Sequence, residues 1–364
     1  MTSKDIFPVV GIGSSAGGVE ALRLLFQNTP PDTGMAFIVV SHLARDYHSL
    51  LPSIVARHAR MAVTAATDGA EIERNTVYVC PPNHVLTVEN HSLQLTPRLS
   101  DEQHKPIDVF LSSLAEDYAE AAVGILLSGS GSDGALGIKA IKERGGLTVA
   151  QGGDGKGPLH SEMPDAAIAS GTVDIVASVE EIPSRLVEYA RSFHELEVAS
   201  DAQTDHADAD AGERYQPIYR LLLNQVKHDF SGYKGKTFGR RVRRRMQVVG
   251  VTRVEDYIAR LQKEPDEVNL LFRDLLIGVT SFFRDPDAFE SLGQLVVPKL
   301  FQDKRSTDTV RVWCPGCATG EEVYSLAILL REHVDTVRTP PKVQIFATDI
   351  DEHAIGIART GRYP

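Results

Sequence analysis

From Phe7 to about His194 the sequence alternates short runs of β-branched residues with helix-length amphipathic segments, and no other feature restricts the fold as strongly. PVVGIG (8–13), MAFIVVSH (35–42), AVGILLSG (122–129), LTVAQ (147–151) and VDIVA (173–177) read as strands. Shorter strands are expected near 62–65, 76–80, 85–88 and 93–96. Helices are expected over about 18–27, 48–59 and 107–120, after a second glycine-rich loop to about 144, and finally to about 194. Strands and helices taking turns predict an α/β domain over 7–194: a doubly wound, mostly parallel sheet covered by helices on both faces. In such sheets the functional loops lie at the carboxyl ends of the strands.

Beyond this domain the character changes. Residues 195–213 hold seven acids and no Lys or Arg, which predicts a flexible acidic linker. Residues 214–295 read as a small all-α domain, with turns at 232–235, 250–251 and 264–265. A new α/β pattern begins with TVRVWCPGCATGEE (309–322), and a further domain is expected over 305–364. A chain of 364 residues with this organisation has enough core to fold without disulfides. Three cysteines, no leader pattern and no apolar run near the ~20 residues of a membrane span predict a cytoplasmic protein without membrane insertion. The net charge of −11 disfavours nucleic acid as a partner.

GIGSSAGG (11–18) supports two chemistries. Gly11-x-Gly13-x-x-Ala16 fits a dinucleotide fingerprint, but the next strand ends Val40-Ser41-His42 without the acid that would hold a ribose. Gly13-x-Ser15-x-Gly17 fits a nucleophile elbow, in which a tight strand-to-helix turn presents a serine hydroxyl. His42 ends a strand that would reach the same crevice. Asp133 follows another strand and precedes a helix, where an N-cap is its plain structural role. Ser15, His42 and Asp133 together supply a hydroxyl, a base and a carboxylate, the set that nucleophilic catalysis needs. No metal site is expected. Cys314-Pro-Gly-Cys317 lacks the second ligand pair of a zinc site and sits in a strand–turn–helix able to admit a nucleotide-like ligand.

Phe238, Val242, Met246 and Val249 form one apolar stripe at helical spacing. Arg240, Arg241, Arg243, Arg244 and Arg245 fill much of the remaining surface of that helix. They read either as a solvated face or as a docking surface for an acidic partner.

GIGSSAGGVEAL, VVSHL, YVCPPNHVL, KPIDVFLSSLA, GILLSGSGSDGALG and EMPDAA resemble, in order, the chemotaxis protein-glutamate methylesterases of the CheB family. The resemblance implies Ser15 as nucleophile, His42 as general base and Asp133 as the orienting carboxylate, with no cofactor. It implies an oxyanion site from the backbone of Ala16 and Ser130, where the family often has Thr and Met. The implied activity is hydrolysis of glutamyl methyl esters, and often glutamine deamidation, on helices of a methyl-accepting chemoreceptor or similar signalling protein. The first strand begins near Phe7, which leaves no room for the receiver domain of such enzymes, so control is expected from elsewhere.

FGRRVRRRMQ, LLIGVTSFFRD, VWCPGCATGEEVYSLAI and FATDIDEHAIGIARTGRYP resemble the CheR receptor methyltransferases. That resemblance implies S-adenosylmethionine as cofactor, contacted by Thr280, Arg284, Glu322 and Asp349, with Asp349 on the ribose hydroxyls. It also implies receptor docking through Arg240, Arg241, Arg243 and Arg244. Two strands of a Rossmann-like sheet fit before Pro364, so this part is expected to be truncated and unable to transfer methyl groups. Two alternatives stand beside this reading: a non-enzymatic signalling scaffold, which by the resemblance would bind receptor helices, and a nucleotide-dependent oxidoreductase built on Gly11–Ala16.

Overall fold

Strands buried on both faces need neighbours on both edges, and the apolar runs of the first 180 residues supply them to one another. A computed structural model describes residues 6–42, 50–98, 105–153, 157–201, 207–276 and 280–363. The expected start of the second helix and the centre of the expected linker lie outside these residues. The chain divides into two compact units, residues 1–272 and 273–364.

In the first unit β1 (Val9–Ser14), α1 (Gly18–Gln27), β2 (Ala36–Ser41), α2 (Leu51–His58), β3 (Ala62–Ala65) and β4 (Thr76–Val79) come first. They are followed by β5 (His84–Glu89), β6 (Ser92–Pro97), α3 (Pro106–Tyr118), β7 (Ala122–Leu126), α4 (Ala135–Arg144) and β8 (Leu147–Gln151). The α/β part closes with α5 (Glu162–Ala169), β9 (Ile175–Ala177) and α6 (Ile182–Asp201). Among the described residues seven strands form one sheet in the order β3-β4-β2-β1-β7-β8-β9, with every neighbouring pair parallel. The order reverses at β1, with β2 on one side and β7 on the other, so the crevice of the sheet opens at the carboxyl ends of these three strands.

Two cores lie on the two faces. Val10 and Ile12 join Leu22, Leu25 and Phe26 of α1 and Ile182, Leu186 and Tyr189 of α6. Val9 joins Ile107, Phe110 and Leu111 of α3. Gly11 and Gly13 fall on this second face. A Cβ at Gly11 would meet Leu111, Leu114 and Phe110 at 2.7–2.9 Å, and one at Gly13 would meet Ile107 at 2.4 Å. The Gly-x-Gly spacing therefore serves the close packing of α3 on β1. Both glycines lie inside the strand, which withdraws the pyrophosphate cradle that the oxidoreductase reading required.

Three local features depart from the sequence reading. β5 and β6 form a separate antiparallel ribbon, turning at Asn90 and His91, whose φ values of 52° and 61° suit a two-residue hairpin turn. Leu86, Val88 and Leu93 of this ribbon bury against α3. α5 was not expected, because eight residues are too short for a periodic signal; it buries Met163, Pro164 and Ala167. Most of the expected flexible linker is helical: α6 continues to Asp201 and α7 (Ala207–Val226) begins five residues before Gly212. Leu196 extends the buried stripe of Leu186, Tyr189 and Phe193, and 195–211 contain no Gly or Pro to stop a helix.

α8 (Gly235–Val248), α9 (Val254–Lys263) and α10 (Pro265–Leu275) follow the expected turns. Phe238, Val242 and Met246 are buried, with the Phe238 ring 4.4 Å from that of Tyr219. The arginines of α8 behave differently from a solvated or docking face. Arg241, Arg244 and Arg245 are buried. Arg244 donates from Nε to the carbonyl of Gly145 (3.2 Å) and from Nη2 to that of Gly146 (2.8 Å), at the end of α4. It also pairs with Asp174, which Lys142 reaches and which lies 3.7 Å from Arg245. Arg245 holds Glu267 by two bonds of 3.0 and 2.7 Å. Arg240 is exposed, 3.6 Å from Glu120, and Arg243 is half-buried. Arg241 and Arg244 are thus corrected from docking residues to interior ones. For Arg244 the cause is Asp174, whose side chain is wholly inaccessible and needs cations to stay ionised. The C-terminal carbonyls of α4 favour a cation at the same place.

The second unit contains α11 (Pro286–Ser291), α12 (Val297–Phe301), β10 (Thr309–Pro315), α13 (Glu321–Thr336), β11 (Lys342–Thr348) and α14 (Glu352–Thr360). β10 and β11 pair in parallel from Thr309↔Lys342 to Pro315↔Thr348. Val297, Phe301, Val310 and Leu330 form its core.

Burial opposes ionisation of Asp174, but Arg244, Lys142 and Arg245 outweigh it and hold the carboxyl well below the usual range. Replacing it leaves buried cations uncompensated, so Asp174→Asn is expected to destabilise the first unit by about 3–5 kcal/mol. Because the native carboxyl titrates below the unfolded one, this advantage is complete above the ordinary carboxylate range. It fades as pH falls toward the depressed native value. Urea unfolding of wild type and variant across pH 2–7 checks both statements; equal midpoints at neutral pH would contradict them.

Candidate active site

The backbone ladder of the sheet runs one step past the strand ends, and this sets the site. Ser15 N–H donates to Ser128 O (3.0 Å), and Leu127 N–H to Gly13 O (3.0 Å), extending β1 against β7. His42 N–H donates to Ser14 O (3.2 Å), extending β2 against β1. Ser14 is in register with Ser41, so Ser15 and His42 occupy the next positions of two adjacent strands, whose spacing is ~4.8 Å.

Ser15 is half-buried in the turn between β1 and α1. Gly17 has φ of +74°, and a Cβ there would meet Ser128 Oγ at 2.6 Å, so only glycine completes the turn. Ser128 ties the turn to the loop after β7: its Oγ donates to Ala16 O (2.8 Å), and its N–H donates to Gln151 Oε1 (2.9 Å). Further along, Gly131 N–H donates to Glu162 Oε2 (2.9 Å) and Gly129 N–H to His160 O (3.0 Å). α5, unseen in the sequence pattern, is thus what steadies this loop. Ser15 N–H is occupied by Ser128. The N–H groups of Ala16 and Ser130 have no hydrogen-bond partner among the described residues.

His42 Nε2 lies 2.7 Å from Asp133 Oδ2. Asp133 does not cap the helix that follows it. Its Oδ2 accepts Ile107 N–H (3.0 Å) and its Oδ1 accepts Asp108 N–H (2.9 Å), in the first turn of α3. Burial disfavours the Asp133 carboxylate. The His42 hydrogen bond and the two backbone donors outweigh burial and lower its pKa below the ordinary value. An ionised Asp133 accepts only, so Nε2 carries the ring hydrogen and Nδ1 presents the lone pair. Ser15 Oγ makes no hydrogen bond to the ring within the described residues. Such contacts are often long before substrate binds.

In the second unit Asp349 follows β11 and Glu322 lies in the first turn of α13. Asp349 Oδ2 accepts Ala318 N–H (2.7 Å) from the turn after β10, and its Oδ1 accepts Asp351 N–H (2.9 Å). Glu322 Oε1 accepts from Cys314 Sγ (3.4 Å). Thr280 is half-buried and Arg284 exposed. Phe283 N–H donates to Ser325 Oγ (2.9 Å), bringing their segment to α13. Burial and Glu322 push the Cys314 thiol up to about 12, and burial raises Cys317, so both shifts favour the protonated thiol. A Cβ at Gly316 would meet nothing, which leaves open space against the turn.

An open parallel sheet with a serine turn, a histidine–carboxylate pair and free backbone donors at its reversal point defines the class: an α/β protein organised as enzymes of this architecture are. Comparison with known proteins narrows the class further. The CheB methylesterase model matches residues 10–186, the CheR all-alpha domain 213–276 and the CheR S-adenosylmethionine-binding domain 278–364. A putative protein-glutamate methylesterase/protein-glutamine glutaminase of Leptospira interrogans is 33% identical over 182 residues, covering 48% of this chain and 91% of that protein. An uncharacterised 104.1 kDa protein of Rhodobacter capsulatus is 34% identical over 328 residues, 85% of this chain. The chain spans about a third of that relative's length, 34%. The crystal structure of the Thermotoga maritima CheB methylesterase catalytic domain has a TM-score of 0.46 and 28% identity, covering 50% of this chain and 98% of that one. The chain belongs to the CheB methylesterase family, and CheR all-alpha and cofactor-binding domains follow its methylesterase domain.

Nitrogen-15 NMR of the neutral His42 ring is expected to show a protonated Nε2 and an unprotonated Nδ1, with the assignment weakened in Asp133→Asn. A ring protonated at Nδ1 in the wild type would contradict this geometry.

Proposed function

We propose that the first unit hydrolyses glutamyl methyl esters on the helices of a chemoreceptor-type signalling protein, in the cytoplasm, and deamidates glutamines at such positions. The observation that carries this reading is the 2.7 Å His42–Asp133 bond at the strand end beside the Ser15 turn. The free N–H groups of Ala16 and Ser130 and the names of the relatives support it.

In this reading Ser15 Oγ attacks the ester carbonyl while its proton passes to His42 Nδ1, and the carbonyl electron pair moves onto oxygen. Ala16 N–H and Ser130 N–H receive that oxyanion; donors of this kind contribute roughly 3–4 kcal/mol each. The tetrahedral adduct collapses, the C–O bond to the methoxy group breaks, and methanol leaves with the proton from His42. Water then attacks the acyl-serine with the same base, returning the hydroxyl and releasing a glutamate carboxylate. Asp133 holds the ring so that Nδ1, not Nε2, faces the nucleophile.

The second unit fits S-adenosylmethionine: two strand ends, an open glycine turn and two acids converge on one crevice. The cofactor, when bound, supplies an electrophilic methyl group. Asp349 would accept from the ribose hydroxyls with the lone pairs left beside Ala318 and Asp351, and Glu322, Thr280 and Arg284 would complete the contacts. On the arginine helix, the exposed Arg240 and half-buried Arg243 remain as partner contacts.

Ser15→Ala is expected to lower methanol release from a methylated receptor-helix peptide by about 10⁴-fold or more, with peptide binding retained. His42→Ala is expected to lower it comparably. Turnover equal to wild type in Ser15→Ala would refute the mechanism.

A further inference from the structure

Two carboxylates behind His42 exchange helix caps. Asp133, from the loop before α4, takes the N–H groups of Ile107 and Asp108 at the start of α3. Asp108, from that same turn of α3, accepts Gly137 N–H at the start of α4 through Oδ1 (2.9 Å), and Leu136 N–H adds to it. Neither helix has a cap of its own: Lys105 and Gly134, which precede them, make no side-chain cap bond. Each helix start is held by an acid belonging to the other, and one of those acids is the partner of His42.

Asp108 is more enclosed than this capping role requires. Its residue is 6% exposed, and Oδ2 is buried without a hydrogen-bond partner. Among the described residues the charged groups that act on it are Asp133, from the loop, and Lys105, whose Nζ lies 4.0 Å from Oδ2, and α4 acts on it through the backbone N–H groups of Gly137 and Leu136. An apolar residue or an asparagine would avoid a second buried negative charge beside Asp133.

We propose that Asp108 is a positioning residue for the hydrolytic site, acting through Asp133: it locks the Asp133 loop to α3 and, as an anion, strengthens that lock by a charge-assisted bond to Gly137 N–H. The inference rests on the triad reading above. Burial pushes the Asp108 carboxyl up to about 6, with Asp133 acting in the same direction against Gly137 N–H, Lys105 and Leu136 N–H. Its charge, and with it the charge-assisted part of the lock, is therefore lost as pH falls through about 6.

The test is the pH dependence of kcat/KM for methyl ester hydrolysis in Asp108→Asn and Asp108→Ala, with Ser15→Ala as control and thermal unfolding measured in parallel. Asp108→Asn keeps an oxygen for Gly137 N–H but loses the charge. Its acid limb is expected to lack the step near pH 6 that titration of the Asp108 carboxyl contributes in wild type, so the two limbs separate. Asp108→Ala loses the acceptor as well, and its kcat is expected to fall roughly tenfold to a hundredfold with KM little changed. An acid limb of Asp108→Asn superimposed on wild type would overturn the proposal even if Asp108→Ala fails to fold. So would loss of thermal stability in Asp108→Ala with kcat unchanged. If Ser15→Ala turns over like wild type, the triad reading itself falls. If Ser15→Ala is inactive and the limbs superimpose, only the role of Asp108 falls.

Discussion

The parallel register of β2, β1 and β7 is the constraint on which the site depends. Its hydrogen bonds do not stop where the strands do: Ser15 N–H and His42 N–H continue the ladder to Ser128 and Ser14. The position of the serine turn relative to the histidine is thereby fixed by main-chain pairing, which resists sequence change better than side-chain contacts do. The same extension uses up Ser15 N–H and leaves the next donor, Ala16, free at the helix start. A serine turn of this kind cannot be rebuilt by side chains alone. It needs β1 between β2 and β7, which the reversal of strand order at β1 provides.

Two buried carboxylates show two solutions to one electrostatic problem. Asp174 is kept ionised by side-chain cations, and the result is structural: Lys142, Arg244 and Arg245 converge on one point. Asp133 is kept ionised by the His42 hydrogen bond and two backbone donors at the start of α3. The second solution relies on backbone donors, which cannot rotate away as a side-chain cation can. A lowered pKa at Asp133 keeps the acid charged beside the imidazole, as the orienting role proposed for it requires.

Much of this was legible in the sequence. The alternation of apolar runs and helical stripes gives the strand and helix positions because a parallel sheet buries both faces and needs crossover helices. Ser15, His42 and Asp133 were legible as strand-end residues. The ring orientation was not, because which imidazole nitrogen meets Asp133 depends on the approach of α3. Gly11 and Gly13 read equally well as a phosphate turn, since local sequence does not say which helix presses on a strand. The arginines of α8 read as surface because their acid, Asp174, lies 70 residues away. α5 was missed because its eight residues contain too few buried positions to show a period. The acidic composition of 195–213 suggested a tether, yet Leu196 continues a stripe that only the folded sheet reveals.

The placement of α8 carries a functional consequence. Glu120, Gly145, Gly146 and Asp174 all precede the strands β7, β8 and β9, so the arginine helix attaches at the amino-terminal edge of the sheet. Ser15 and His42 directly follow β1 and β2, and Asp133 lies in the loop after β7, at the carboxyl-terminal edge. The helical segment can therefore be held tightly by the methylesterase domain without covering the hydrolytic rim. Burying charge is costly unless its partners are fixed, and here the partners come from both segments, Asp174 from one and Arg244 from the other. Charge thus ties the two segments together at one edge, while Ser15, His42 and Asp133 lie at the opposite edge.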